Sequence, residues 1–298
     1  MQSLSLEAKI LKTKMRIREW YDHWNGEVYV SFSGGKDSTV LLHIVREEYP
    51  HVPAVFVDTG LEYPEIREFV KTIDNVSWLK PEMNFKEVIN TYGYPVISKR
   101  QAQSIREART TKSEILYKLR MTGIRENGEY SSYSKISEKY KNLVTAPFKI
   151  SDQCCNIMKK KPIKKYVKET GGYSINGVMA CESNNREITY LKQGCNAFNL
   201  RIPISSPIGF WIEQDVLQYI KEFNIPYSSI YGDIIEVDGK LMTTGEKRTG
   251  CMFCMFGVHL EDEPNRFQRM KITHPKIYDY CINKLGCGQV LDFINVPY

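Results

Sequence analysis

The 298-residue chain has no apolar run of membrane-spanning length, no internal repeat and no low-complexity tract. Those absences exclude a bundle of transmembrane helices, a solenoid and a disordered tail. The opening stretch, residues 1–18, mixes charged and apolar residues and lacks the apolar core of a secretory leader. A cytoplasmic protein with no membrane partner is therefore expected. An excess of one charge sign is nearly missing too. Lys and Arg number 41 against 35 Asp and Glu, a net +6, too little alone to mark a nucleic-acid binder. Hydrophobic residues at 42% and charged residues at 26% exclude a disordered or collagen-like chain. The length suits one large domain or two small ones with a real core. What the sequence does hold in quantity is cysteine, eight in all. In a reducing compartment such a number points to metal binding or catalysis before disulfides.

Apolar residues at three- and four-residue steps predict a helix over residues 4–24. Strand and helix patterns then alternate: strand 27–32, helix 36–48, strand 51–57, a helix from Pro64 to about residue 73, strand 76–79 and helix 85–90. This alternation predicts an α/β fold, an open and mostly parallel sheet with helices on both faces. Further strands are expected at 173–179 and 201–204, and a helix at 213–222. The expected layout is an N-terminal helix (1–25), a nucleotide-binding domain (26–205) with a basic insertion at about 110–150, and a cysteine-containing C-terminal extension (206–298). Residues 99–165 hold 17 Lys or Arg and 6 Asp or Glu, so 17 − 6 gives +11 and the remainder sums to −5. Within that stretch Lys99, Arg106 and Arg109 can share a helix face. Tyr117, Tyr130, Tyr133 and Tyr140 interleave with cations, a pattern compatible with stacking on bases. A solvated basic face explains the same pattern, and no known nucleic-acid module is visible.

Ser33-Gly34-Gly35-Lys36-Asp37-Ser38 falls between a predicted strand and a predicted helix. Glycines let backbone N–H groups approach a polyphosphate, and the helix N-terminus adds unsatisfied donors and partial positive charge. Lys36 adds a cation, Ser33 and Ser38 add hydroxyls, and Asp37 is the group best suited to a bridging Mg2+. The string is neither a Walker A loop nor a dinucleotide-binding turn.

SGGKDS after a strand resembles the PP-loop of ATP pyrophosphatases. The flanking sequence resembles their branch with phosphoadenosine-phosphosulfate (PAPS) reductases and the ATP-using subunit of sulfate adenylyltransferase. Val57-Asp58-Thr59-Gly60 with Tyr63-Pro64-Glu65 resembles the family's VDTG…PE motif, and residues 207–231 resemble its P-L-x-x-W…N-x-P-Y-x-x-L-Y segment. The likeness spans roughly residues 21–256 and implies the adenine nucleotide alpha-hydrolase-like fold. It implies a loop that grips β- and γ-phosphates while a nucleophile attacks the α-phosphorus, giving an adenylated substrate and pyrophosphate. Asp58 and Thr59 would stand beside the loop. Glu182, Ser183 and Arg186 match a G-x-R-x-x-E-S-x-x-R string, with Met179 in place of its first arginine. That loss argues against recognition of a sulfonucleotide.

Cys154-Cys155 and Cys251-x-x-Cys254 supply four thiolates, the number a 4Fe–4S cluster takes. Zinc or two disulfides are the other readings of the set. Cluster-bearing sulfonucleotide reductases use this CC…CxxC arrangement, and Lys159 matches the lysine near their cluster, where its charge would balance thiolates. Cys181, Cys195 and Cys281 have no motif and are expected to pack. Cys287 stands where those reductases place a C-terminal nucleophile, although only its Cys-Gly pair is kept. Such reductases have degraded phosphate loops, whereas this one is intact. The combination resembles PP-loop enzymes with iron–sulfur clusters that insert sulfur, onto DNA or tRNA. The expectation is an ATP-binding, adenylating enzyme with a 4Fe–4S cluster, ATP and Mg2+. A sulfur donor or thiol reductant protein and a nucleic-acid acceptor reached through 99–165 would be its partners, and a homo-oligomer is expected. Two alternatives are a PAPS or adenylyl-sulfate reductase using Cys287 as nucleophile and a nucleotide-binding subunit of a larger modification or defence complex.

Overall fold

The computed structural model describes residues 1–298. Two compact units interleave along the chain. One comprises residues 1–58, 62–80 and 162–249, and the other 59–61, 81–161 and 250–298. No helix is long and apolar enough to cross a membrane.

The first unit has the expected α/β architecture. Six strands form one sheet in the order Val76–Leu79, Ala54–Val57, Val28–Ser31, Tyr173–Asn176, Ile204–Ser205 and Asn196–Ala197. All pairs are parallel except the last, which is antiparallel. Val28, Tyr29 and Val30 of the central strand are buried, as β-branched and aromatic residues of a covered parallel sheet should be. Strand Ala54–Val57 begins later than its apolar pattern, because Pro53 has no N–H for the ladder. Tyr173–Asn176 ends early at Gly177, where a Cβ would lie 3.2 Å from the backbone of Ser38. The central strand feeds the helix Lys36–Glu48 through residues 32–35. Chain direction along the sheet reverses at this strand, and open α/β sheets bind ligands in the crevice at such a reversal.

Helices Leu6–His23 and Glu213–Glu222 both pack on the helix Lys36–Glu48. They are tied together by charge. Lys9 is 1% exposed, and its ammonium donates to both oxygens of Asp215 at 2.8 and 2.7 Å. Asp215 also accepts the N–H of Ile212 at 2.7 Å, so one carboxylate caps a helix and anchors another. Trp211 Nε1 donates to Thr13 Oγ1 at 3.0 Å beside them.

In the second unit a short parallel ladder joins Val96–Ile97 to Met255–Phe256. Helix Lys99–Thr110 follows, capped by the Ser98 side chain. Much of the basic stretch is matched inside this unit. Arg106 meets Asp152 at 2.9 Å, Arg120 meets Glu107 at 2.6 Å, and Lys135 and Lys141 share Glu138. Arg109 donates to the carbonyls of Phe148 and Ala146.

Removing one partner of a buried ion pair strands the other charge. Lys9→Met is expected to lower unfolding stability by about 3 kcal/mol. Lys9→Met/Asp215→Leu should recover much of that loss, short of the cap, which contributes about 1 kcal/mol. Urea denaturation followed by circular dichroism reads both; a single variant as stable as the parent would show the pair to be dispensable.

Candidate functional site

The phosphate loop is built from its glycines and cross-braced by its serines. Gly34 adopts φ +72°, and a Cβ there would meet Val70 at 2.7 Å and Ile66 at 2.8 Å. Gly35 is the N-cap of the helix and makes no side-chain cap bond. Ser33 and Ser38 hydroxyls lie 3.0 Å apart, Ser33 N–H donates to Ser38 Oγ, and Ser38 Oγ donates to the Gly35 carbonyl. Gly35 N–H in turn donates to Ser33 Oγ at 3.3 Å. These bonds stiffen the loop ahead of any ligand.

Lys36 is 5% exposed. Its Nζ donates to the Lys247 carbonyl at 2.8 Å, meets Glu213 Oε1 at 3.1 Å and lies 5.1 Å from the Tyr231 ring centre. Its backbone N–H donates to the Tyr231 hydroxyl, which contacts Thr249 Oγ1 at 2.7 Å. Asp37 Oδ1 is shielded from solvent and has no hydrogen-bond partner. Burial pushes the Asp37 carboxyl above its usual range, against the pull of Lys36; Glu213 adds to the rise, and Arg248 and Arg186 oppose it. Arg186 follows the Ser183 cap of the helix Asn184–Gln193 and ion-pairs with Glu182, which Arg248 also approaches at 4.0 Å. Burial, and then the Arg248 charge, hold the Arg186 guanidinium below its ordinary value. The structure thus brings Lys36, Asp37 and Arg186 into one cluster. Sequence reasoning missed Glu213, Tyr231, Lys247, Arg248 and Thr249 as members. Tyr231 closes the N-x-P-Y-x-x-L-Y segment, which was a usable signal; residues 247–249 offered none beyond lying just before Cys251.

Asp58, at the end of its strand, is buried and pairs with Arg67 at 2.9 Å. Thr59 belongs to the second unit, and its hydroxyl accepts the Leu61 N–H in a turn. Cys181 is not the packing residue expected. It is exposed, donates to the Trp211 carbonyl at 3.4 Å and lies within electrostatic reach of Asp37, Arg248 and Glu213. Cys195 and Cys281 are buried as expected.

Asp37 sets a pH test. Its pKa is raised in the folded state, so its ionised form costs stability once pH exceeds the unfolded value, and acid removes the cost. Asp37→Asn is expected to raise thermal stability at neutral pH by roughly 1 kcal/mol, with the gain vanishing toward pH 3 to about 4. Melting temperatures across that range check it; an equal gain at every pH would remove ionisation as its cause.

All four motif cysteines lie in the second unit. Cys154 and Cys155 open a helical turn that widens into a π-helix over Asn156–Lys160, a local feature frequent at functional sites. Cys254 N–H donates to the Cys251 carbonyl at 3.1 Å, and Cys254 leads into the strand Met255–Phe256. Burial pushes the Cys154 thiol up, and Cys155, Cys251 and Cys254 add to it, with Lys159 opposing. Burial likewise raises Cys254; the Phe256 backbone and Arg266 oppose it, Cys155 adds to it, and Lys159 opposes. The four thiols therefore share one electrostatic neighbourhood with two cations, although no three side chains close into a ligand set. Four thiolates there would repel one another unless a metal group neutralised them, so the donor chemistry fits a polycationic iron or zinc centre. Cys287 is 0% exposed, at the start of the helix Cys287–Phe293. Its hydrogen bond to Cys281, together with burial, keeps the Cys281 thiol protonated.

The family profile described as "Phosphoadenosine phosphosulfate reductase domain" matches residues 27–137 and 85–255. The chain is 23% identical over 286 residues to an uncharacterized protein of Methanocaldococcus jannaschii, covering 94% of this chain and 53% of that one. A second such protein from the same organism is 25% identical, with 90% of this chain and 43% of that one covered. The chain thus spans about half the length of these two relatives. A phosphoadenosine 5'-phosphosulfate reductase of Xanthomonas axonopodis pv. citri is 23% identical, over 91% of this chain and 90% of that one. Among solved structures, the PAPS reductase of Candida auris gives a TM-score of 0.42 at 15% identity, over 80% of this chain and 98% of that one. The U34-tRNA thiolase NcsA from Methanococcus maripaludis, with its [4Fe-4S] cluster, gives 0.40 at 14%, over 97% and 82%. With the profile matched across most of its length, the chain belongs to the phosphoadenosine phosphosulfate reductase family of enzymes.

Proposed function

We propose that the chain binds ATP at the Ser33–Ser38 loop, adenylates an acceptor with release of pyrophosphate, and acts in sulfur transfer with a 4Fe–4S cluster. The observation that carries this reading is the braced, intact loop with the buried Lys36 at the sheet reversal. An adenylyl nucleotide without β- and γ-phosphates has no use for such a cradle. Loop N–H groups and Lys36 hold the β- and γ-phosphates, Arg186 and Arg248 take the remaining negative charge, and Asp37 would hold Mg2+. An acceptor oxygen attacks the α-phosphorus; the bond to the β-phosphate oxygen breaks, and pyrophosphate carries off the electron pair. Cys154, Cys155, Cys251 and Cys254 would hold the cluster, with Lys159 and Arg266 balancing its charge. When bound, it supplies iron that ligates sulfur and passes electrons.

The acceptor class we assign is nucleic acid. Tyr117, Tyr130 and Tyr133 are exposed within the basic stretch, and the Arg100 guanidinium lies 4.6 Å from the Tyr133 ring centre. Tyr130→Ala/Tyr133→Ala is expected to weaken binding of single-stranded RNA or DNA about tenfold; filter binding reads it, and an unchanged affinity would remove these tyrosines from the interface.

Lys36→Ala should cut acceptor-dependent pyrophosphate release by roughly a hundredfold or more. Anaerobically purified protein should be brown and contain about four iron atoms per chain, and Cys154→Ala should lose both colour and iron. Stoichiometric zinc in a colourless protein would overturn the cluster.

A second reading, reduction of a sulfonucleotide by Cys287, is favoured by alignment with the Xanthomonas reductase over nine-tenths of both chains. The complete burial of Cys287 weighs against it. Sulfite release from PAPS that vanishes in Cys287→Ser would establish it in place of adenylation.

A further inference from the structure

Three cations gather at the phosphate loop, and three carboxylates gather with them. Lys36 meets Glu213 at 3.1 Å, Arg186 and Arg248 both turn to Glu182, and Asp37 lies within reach of Lys36, Arg186 and Arg248. The cluster is therefore close to neutral and is no standing reservoir of positive charge for a polyanion. Positive charge reaches a ligand only when a carboxylate gives way. The three differ sharply in how easily that happens. Asp37 Oδ1 is shielded, and the Glu182 side chain is 15% exposed and also accepts the Met179 N–H at 3.2 Å. The Glu213 side chain is 54% exposed, at the first turn of its helix, and can swing into water at little cost. Its partner cannot follow, since Lys36 is buried and tied to the Lys247 carbonyl.

We propose that Glu213 is an internal competitor for Lys36, a residue that linked ligand phosphates must displace and that sets their affinity. This rests on the reading of the loop as a polyphosphate site and deepens it. A single phosphate seated on the loop alone leaves the Glu213 pair in place. Two or more linked phosphates engage the loop N–H groups and Lys36 together and must break that pair. Glu213 so holds down the affinity for nucleotides with linked terminal phosphates and leaves nucleoside monophosphates largely untouched. Glu213 touches no reacting atom in this scheme; it acts through Lys36.

Calorimetric titration of the full chain with ATP, inorganic tripolyphosphate and AMP tests the proposal. Glu213→Gln is expected to tighten ATP and tripolyphosphate about fivefold and to change AMP far less, widening their advantage over it. In a Lys36→Met background the same substitution should change nothing, and circular dichroism verifies that each variant is folded. If the parent binds ATP but Glu213→Gln binds it equally or more weakly, the competitor role falls and the proposed function stands. Equal gains with and without Lys36 would also overturn it, since the effect would then not run through that side chain. If neither parent nor Glu213→Gln binds ATP or tripolyphosphate, both readings fall together.

Discussion

Between Ser31 and Lys36 the backbone must leave a buried parallel strand and start a helix at its carboxyl end. That reversal is possible only because Gly34 takes a left-handed conformation with Ile66 and Val70 pressed against its bare α-carbon. Much else in the first unit is arranged around this close approach. Gly177 lets the neighbouring strand end against Ser38, and Tyr231 presents its hydroxyl to the first helical N–H. The serines then tie the loop across itself. A side chain at either glycine would press on Ile66 and Val70 or on the backbone of Ser38.

The two candidate sites pose opposite electrostatic problems. At the loop, cations and carboxylates are nearly balanced, and in the proposed function an incoming polyanion breaks that balance. At the cysteines, burial, reinforced by neighbouring thiols, favours the neutral, protonated form of Cys154 and Cys254. Lys159 and Arg266 oppose that preference without removing it. In the proposed function the first site takes an anion carrying several charges and the second a cation carrying several.

Local signals in the sequence carried a long way. Helices Lys36–Glu48 and Glu213–Glu222 stand where periodicity put them, because their apolar spacing is set by the same burial that forms them, and strand Val76–Leu79 also falls where expected. The loop was legible because its residues are contiguous. Glu213, Lys247 and Arg248 were not, since they reach Lys36 or Glu182 through tertiary packing that no spacing rule encodes. Cys181 was misread for the same reason: a cysteine without a motif is usually core, and only the fold turns this one toward Asp37. Cys287 shows the converse, a partial motif whose side chain is sealed beside Cys281.

The interleaving of the two units has a kinetic consequence. Strand Val28–Ser31 must wait for Tyr173–Asn176 before its second edge is covered, and Lys9 waits for Asp215. These are pairings of large sequence separation, which slow folding because loop closure comes before its reward. During synthesis the first unit cannot complete its sheet until the whole of the second unit's middle segment has emerged. The nascent chain then leaves one edge of its apolar central strand uncovered for much of its elongation, a state in which folding helpers would matter more than for a chain with contiguous domains.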